Sequence, residues 1–471
     1  MVRLFIIADD FTGALDTGVQ LAAAGARARV VTDPAADLAR LAADAFGEGT
    51  EVLVLDTESR HLPAQEAFAR VQSAARQAAA LGVPYIYKKT DSALRGNVGA
   101  ELAGLLDGSG QNQLAFVPAF PGMGRVTRGG VQYVGGVPVA ESVFGADPFE
   151  PVTRSNVADI IGLQSSLPVV LRVPGQAPAG SGITVYDAES DEDMARIGRN
   201  LQETWQGSRP DAGRTAGEAD PGADRDAQRN PGPILLAGCA GFGALLPRLL
   251  GLGTGTAAPL PALDARLLVV CGSVNPITLA QLKAGEENGF VRRRLTPEQK
   301  LAPGWWESEA GQRDIRTFER MLQEHPFRII DTNDPEDSHA TAEFAARQGL
   351  SLEQVRVGIA ASLGRLVRDL AASPDLGTLM ITGGDTLLQC MDALGVREME
   401  PLGQLAPGVV LSRFAYQGSE RFVISKSGGF GEPDLLKDLT RKLADTQAQP
   451  SGPAGRYGTR AEHAAGQENR P

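Results

Sequence analysis

Ten consecutive residues, Lys88-Lys89-Thr90-Asp91-Ser92-Ala93-Leu94-Arg95-Gly96-Asn97, bring together two lysines, an aspartate, two hydroxyls, an arginine and an asparagine directly after the apolar run 83–87. A plain strand-to-helix connection has no use for so many different donors and acceptors, and functional groups concentrate on such loops. Carboxylates recur at two other strand ends: Asp9 and Asp10 follow the apolar run 4–8, and Asp56 follows 52–55. Asp9 and Asp10 taken alone read equally as turn formers or helix caps and as site residues, and Asp56 alone reads mostly as a turn residue. Brought together, these carboxylates would repel one another. Arg60, Lys89 and Arg95 sit in the same turns and offset that repulsion. The combined set suits a small polyhydroxylated anion: arginine and lysine take a carboxylate, while aspartates accept hydrogen bonds from hydroxyls.

A second set lies in the other half of the chain. Three apolar runs lead into Gly272-Ser273-Val274-Asn275-Pro276, Thr382-Gly383-Gly384-Asp385-Thr386 and Ser427-Gly428-Gly429-Phe430-Gly431, each followed by a helical pattern. Free N–H groups and the dipole at a helix N-terminus favour phosphate. Any one such turn is more often simply tight; three on one edge predict a nucleotide. There is no Gly-x-x-x-x-Gly-Lys-Ser/Thr and no Gly-x-Gly-x-x-Gly after a strand, which excludes a P-loop and leaves a dinucleotide fold unsupported. Asp385 either holds Mg²⁺ indirectly or caps its helix, and Lys426 either reaches phosphate or ends a strand. Arg125 reads equally as an anion contact and as a solvated loop charge.

Strands alternating with helices must position these groups. The runs 4–8, 28–32, 52–55, 83–87 and 114–117 read as strands, and 13–24, 64–81 and 98–106 as helices. This alternation predicts an α/β fold with parallel strands, whose carboxyl ends share one edge and form the usual ligand crevice. Two domains are expected, each a mostly parallel sheet flanked by helices, with the site in the cleft between them. Residues 1–250 would form the first and 262–445 the second. The apolar-poor segment 206–233 reads as a disordered insert, and 446–471 as a disordered tail.

At 471 residues the chain is too long for one typical core. A net charge of -12 argues against nucleic-acid binding. No apolar run is long enough for a bilayer and no signal peptide precedes the first strand, so no membrane partner and a cytoplasmic location are expected. Cys239, Cys271 and Cys390 are far apart, and the four histidines show no ligand spacing. Neither disulfides nor a protein-built metal site is therefore expected.

These motifs resemble the four-carbon acid sugar kinase family, in its threonate and erythronate branch. The matching stretches are residues 7–14, 56–60, 88–97, 118–121, 272–276, 382–386 and 426–431, in the family's order. The resemblance implies a sugar-acid-binding N-terminal domain, a nucleotide-binding C-terminal domain, and ATP-dependent phosphorylation of the C4 hydroxyl of D-threonate or D-erythronate with Mg²⁺. It assigns Asp9, Asp10, Arg60, Lys89, Asp91 and Arg95 to the acid, and Ser273, Gly383, Gly384, Asp385, Thr386, Gly428 and Gly429 to ATP. Arg60 or Arg95 would fix the carboxylate, and Asp91, or failing it Asp9, would act as base. Ala93 stands where the motif commonly has a hydroxyl residue, which marks it for a shift in substrate preference. The alternatives are a 3-oxo-tetronate 4-kinase, a silent nucleotide- and acid-binding regulator, and a dehydrogenase with an atypical site. A homodimer is left open.

Overall fold

The computed structural model describes residues 2–47, 49–147, 150–208, 232–336 and 338–448. Its first half contributes β1 (Leu4–Ala8), β2 (Ala28–Val31), β3 (Val52–Asp56), β4 (Tyr85–Lys89), β5 (Gln113–Val117), β6 (Arg125–Arg128), β7 (Val131–Val134), β8 (Val137–Pro138), β9 (Val169–Arg172), β10 (Gly182–Tyr186) and β11 (Ile234–Gly238). The second half contributes β12 (Leu267–Cys271), β13 (Val291–Arg294), β14 (Phe327–Asp331), β15 (Thr378–Thr382), β16 (Glu398–Ala406), β17 (Val409–Tyr416) and β18 (Ser419–Lys426).

Strands β1, β3, β12 and β15 are buried along their whole length. That is why they read as unbroken apolar runs: helices cover both faces of a parallel sheet. The order β2-β3-β1-β4-β11-β5-β10-β9 is parallel throughout, as is β13-β14-β12-β15-β18. Antiparallel β17 and β16 continue from β18, and β16 pairs with β2 through Glu398 opposite Val31 and Met399 opposite Val30. One sheet of 15 strands results. The hairpin strands β6, β7 and β8 form a separate small sheet.

Several expectations needed adjusting. The sequence reading did not anticipate β13, β14 or the antiparallel pair β16–β17. Strand β11 lies between β4 and β5 in the middle of the first half. Residues 206–208 continue the helix Asp191–Ser208, and 446–448 belong to the helix Leu435–Ala448, so both expected disordered segments were drawn too wide. Residues 232–233 are described as well, and 209–231 and 449–471 lie outside the described residues.

The helix Phe11–Ala23 links the two halves. Asp10 caps it by accepting from the Gly13 N–H at 3.0 Å. Its contacts include β16, β17 and the helix Gly384–Ala393 from the second half. Gly18 lies against Pro401 of β16 so closely that a Cβ would come within 2.9 Å of the ring.

Candidate functional site

Because β3, β1 and β4 are neighbours, their three carboxyl ends bring the acidic turns together. Arg60 lies across them. Its Nε and Nη2 donate to Asp9 Oδ2 at 2.9 and 2.7 Å, and its Nη1 donates to Asp10 Oδ2 at 2.8 Å. Two residues of the 88–97 stretch hold this arginine's turn. Asn97 Nδ2 donates to the carbonyls of Ser59, Arg60 and Leu62 at 2.9, 3.2 and 2.7 Å. Gly96, at φ +81°, leaves room for Arg60, whose Cγ would lie 2.8 Å from a Cβ there. Lys88 is also structural: fully buried, its Nζ lies 3.0 Å from Glu101 Oε2.

Asp91 is a heavily used acceptor. Its Oδ2 accepts from the Ala93 N–H at 3.0 Å, the Arg95 N–H at 3.3 Å and Arg95 Nε at 3.1 Å, and its Oδ1 from Arg95 Nη2 at 2.9 Å. Burial disfavours its charge, but Arg95 and then Arg60 outweigh that and hold the carboxyl well below the usual range. Burial likewise opposes the charge on Asp9, and Arg60 followed by Lys89 brings it below normal. Asp9 is 2% exposed and does not line the cleft, although its Oδ1 is buried without a hydrogen bond. Ala93 is fully buried in the apolar core and does not reach the cleft either.

Lys89 is less committed. Its Nζ sits 4.0 Å from Asp9 Oδ1, over the first turn of the helix Phe11–Ala23. A Cβ on Gly13 would fall 2.5 Å from that Nζ, so the glycine makes the approach feasible. Arg125, which the sequence left undecided, faces the cleft. Its Nη1 donates to Ser92 Oγ and its Nε is buried without a partner. Arg95 and Arg125 each lie 5.2 Å from the Phe144 ring centroid.

In the second half, β12, β15 and β18 are adjacent, and their three glycine turns interlock. A Cβ on Gly272 would strike Thr386 Oγ1 at 2.0 Å, and one on Gly428 would strike Ser273 Oγ at 2.7 Å. The helix Gly384–Ala393 begins after Gly383, at φ +106°, with no side-chain cap, leaving its first N–H groups available to an anion. Lys426 supports the third turn from beneath, its Nζ donating to Thr278 Oγ1, Ser427 O and Gly428 O at 3.0, 3.1 and 3.1 Å. Burial pushes its pKa down to about 8. Asp385 Oδ2 accepts from Arg356 Nη1 at 2.6 Å.

One cleft of about 420 Å³ joins the two sets. Of the sequence-predicted residues, Asp10, Arg60, Lys89, Asp91 and Arg95 line it from one half, and Gly384, Asp385, Gly428 and Gly429 from the other. Ser273, Gly383 and Thr386 do not line it, and neither does Asp9. Sequence reasoning missed Asp16, Phe144, Asp147 and Arg356, which do. Asp16 carried a signal: it lies four residues after Thr12, on the same helix face. Among the described residues no group of three His, Cys, Asp or Glu side chains is placed to hold a metal, and no helix is long and apolar enough to cross a membrane.

Residues 4–217 match the family model of a sugar-binding N-terminal domain, and 268–436 that of a nucleotide-binding C-terminal domain. The chain is 30% identical to a D-threonate kinase of Salmonella typhimurium, over 93% of this chain and 97% of that one. It is 28% identical to a D-erythronate kinase of Heliobacterium modesticaldum (92% and 95% covered). It is 29% identical to a 3-oxo-tetronate kinase of Methylobacterium radiotolerans (92% and 98% covered). A solved Salmonella typhimurium structure shares the fold at a TM-score of 0.71 and 21% identity, over 94% of this chain and 100% of that one. With both domain models matched in order and a relative of this similarity spanned almost end to end, the chain belongs to the four-carbon acid sugar kinase family.

Proposed function

We propose that the protein transfers the γ-phosphoryl group of ATP to the C4 hydroxyl of a four-carbon sugar acid, D-threonate or D-erythronate. Residues 1–250 serve as the acid-binding unit and 262–445 as the nucleotide-binding unit. The observation that carries this reading is the shared cleft, with cations and hydroxyl acceptors on one wall and glycine turns on the other. Phosphoryl transfer asks little covalent work of a protein, so positioning and electrostatics carry most of the catalysis.

The geometry redistributes the expected roles. Arg60 is engaged by Asp9 and Asp10, and Arg95 by Asp91 and Asp147. Both arginines therefore build the wall, and the acid's carboxylate falls to Lys89 and Arg125, which keep uncommitted donors. Asp91, with four donors and a depressed pKa, orients this wall and is a weak proton acceptor. Asp10 accepts hydrogen bonds from substrate hydroxyls. The open N-terminus of the helix Gly384–Ala393 and the turn at Gly428 and Gly429 receive the phosphates.

Asp385 lines the cleft on the nucleotide side, with Oδ2 as the oxygen hydrogen-bonded to Arg356, and a single carboxylate of this kind suits Mg²⁺, which is commonly held by phosphate oxygens, waters and one or two carboxylates. Asp385 would be the carboxylate on the nucleotide side. When bound, the ion neutralises charge on the transferring phosphates.

The test is ADP release from Mg-ATP with D-threonate, L-threonate, D-erythronate and 3-oxo-tetronate. Turnover with D-threonate or D-erythronate is expected. Preference for 3-oxo-tetronate would move the chain to that branch, and no ADP release with any acid would remove the kinase reading.

A further inference from the structure

The helix Phe11–Ala23 presents Thr12 and Asp16 to the opposite half of the molecule. Thr12 Oγ1 is where a Cβ on Gly384 would clash, at 2.6 Å. One turn further on, Asp16 Oδ2 accepts from Ser427 Oγ at 3.2 Å, in the third glycine turn. Asp16 thus stands on the wall that carries Asp10 and Lys89 while touching the turn assigned to phosphate. A hydroxyl attacking a γ-phosphorus must lie at this seam.

The other acidic side chains of the cleft are committed. Asp10 is held by Arg60 and the Gly13 N–H, Asp91 and Asp147 by Arg95, and Asp385 by Arg356. Glu58 accepts from the Phe11 N–H, and Glu150 pairs with His61. Among the described residues, Asp16 forms no ion pair and has the Ser427 hydroxyl as its hydrogen-bond partner.

We propose that Asp16 is the general base of the transfer. This rests on the kinase reading above. The Asp16 carboxylate takes the proton of the attacking hydroxyl as that oxygen bonds to the γ-phosphorus. The bond from phosphorus to the β–γ bridging oxygen breaks, and ADP leaves with the electron pair.

The local electrostatics agree. Burial raises Asp16 to about 6, opposed by Lys89, reinforced by Asp10 and lowered slightly by the Ser427 hydrogen bond. The group is therefore ionised at neutral pH and more basic than Asp9 or Asp91, as a working base must be.

The experiment compares wild type, Asp16→Asn and Ser427→Ala as full chains, by ADP release with the preferred acid across pH 5–9. ADP titration calorimetry serves as the folding and binding control. Asp16→Asn is expected to lower kcat by about 10²–10³-fold. Its ADP affinity should stay within about twofold of wild type. The wild-type fall in kcat/KM below about pH 6 should disappear in Asp16→Asn. Ser427→Ala keeps the base but loses a hydrogen bond to its ionised form, so the acidic limb of whatever turnover it shows should move to higher pH. The base assignment is overturned if Asp16→Asn keeps near wild-type kcat or the acidic limb. It is also overturned if both variants lose ADP binding alike, which would make the pair a latch between the halves. Wild-type turnover beside an indifferent Asp16→Asn removes the base alone, whereas an inert wild type removes the kinase reading and the base with it.

Discussion

At the scale of single residues, the 88–97 stretch divides into groups that face the cleft and groups that brace it. Lys89, Asp91, Ser92 and Arg95 line the cleft, while Lys88, Ala93 and Asn97 hold neighbouring turns or fill the core. Asp91 does both. Asp91→Asn removes the closer of Arg95's two partner carboxylates, leaving Asp147 at 3.3 Å, and costs Arg60 a nearby counter-charge, so a loss of about 3 kcal/mol is expected in urea unfolding at pH 7. The folded carboxyl lies well below its unfolded value of about 3.9, so this stabilisation is complete above that pH and fades as pH falls through it. The gap in stability between wild type and Asp91→Asn should therefore narrow below about pH 4. A gap that stays constant with pH would mean that Asp91 is not ionised in the fold. The density of donors and acceptors was legible in the sequence. Which of them would be spent on one another was not, because that depends on strands distant in the chain.

At the scale of elements, the glycine turns work because they pack against each other. Gly428 lies where a methyl group would sit 2.7 Å from Ser273 Oγ. Gly428→Ala should push the first and third turns apart and raise the KM for ATP by about tenfold, an overpacking cost of about 1–3 kcal/mol. The KM for the acid should change little, since Lys89 and Arg125 lie on the other wall. Equal rises in both constants, measured by ADP release at saturating co-substrate, would argue against separate walls. The strand-turn-helix pattern made the three turns recognisable one by one. Their interlocking follows from the adjacency of β12, β15 and β18, which local patterning does not encode.

At the scale of the whole molecule, the edge pairing of β2 with β16 and the helix Phe11–Ala23 set the two walls face to face. One apolar cluster runs through both halves, from Leu4 and Val30 to Leu268 and Met399. Unfolding in scanning calorimetry should therefore show a single main transition, and saturating ligand on either wall should stabilise all of it. Ligand at a hundredfold excess over its Kd adds about 2.7 kcal/mol. Met399, buried beside β2, is the place to test the coupling. Met399→Asp should lower stability by several kcal/mol and split the transition in two, by burying an unpaired charge in the joint. One intact transition in that variant would locate the coupling elsewhere.

The sequence by itself determined the local chemistry and the class of fold. Short unbroken apolar runs, alternating with helical patterns, read as strands buried on both faces, and the polar bursts that end them fall on the ligand edge of a parallel sheet. The resemblance carried by those bursts pointed to the family that the domain models and relatives then showed. Only the tertiary structure decided which charges neutralise each other and which stay available. Arg60 and Arg95 are consumed by neighbouring carboxylates, Lys89 and Arg125 keep free donors, and Asp16 meets Ser427 across 411 residues of chain. The reason is physical: an ion pair is set by distance and burial, and both depend on how the sheet orders its strands.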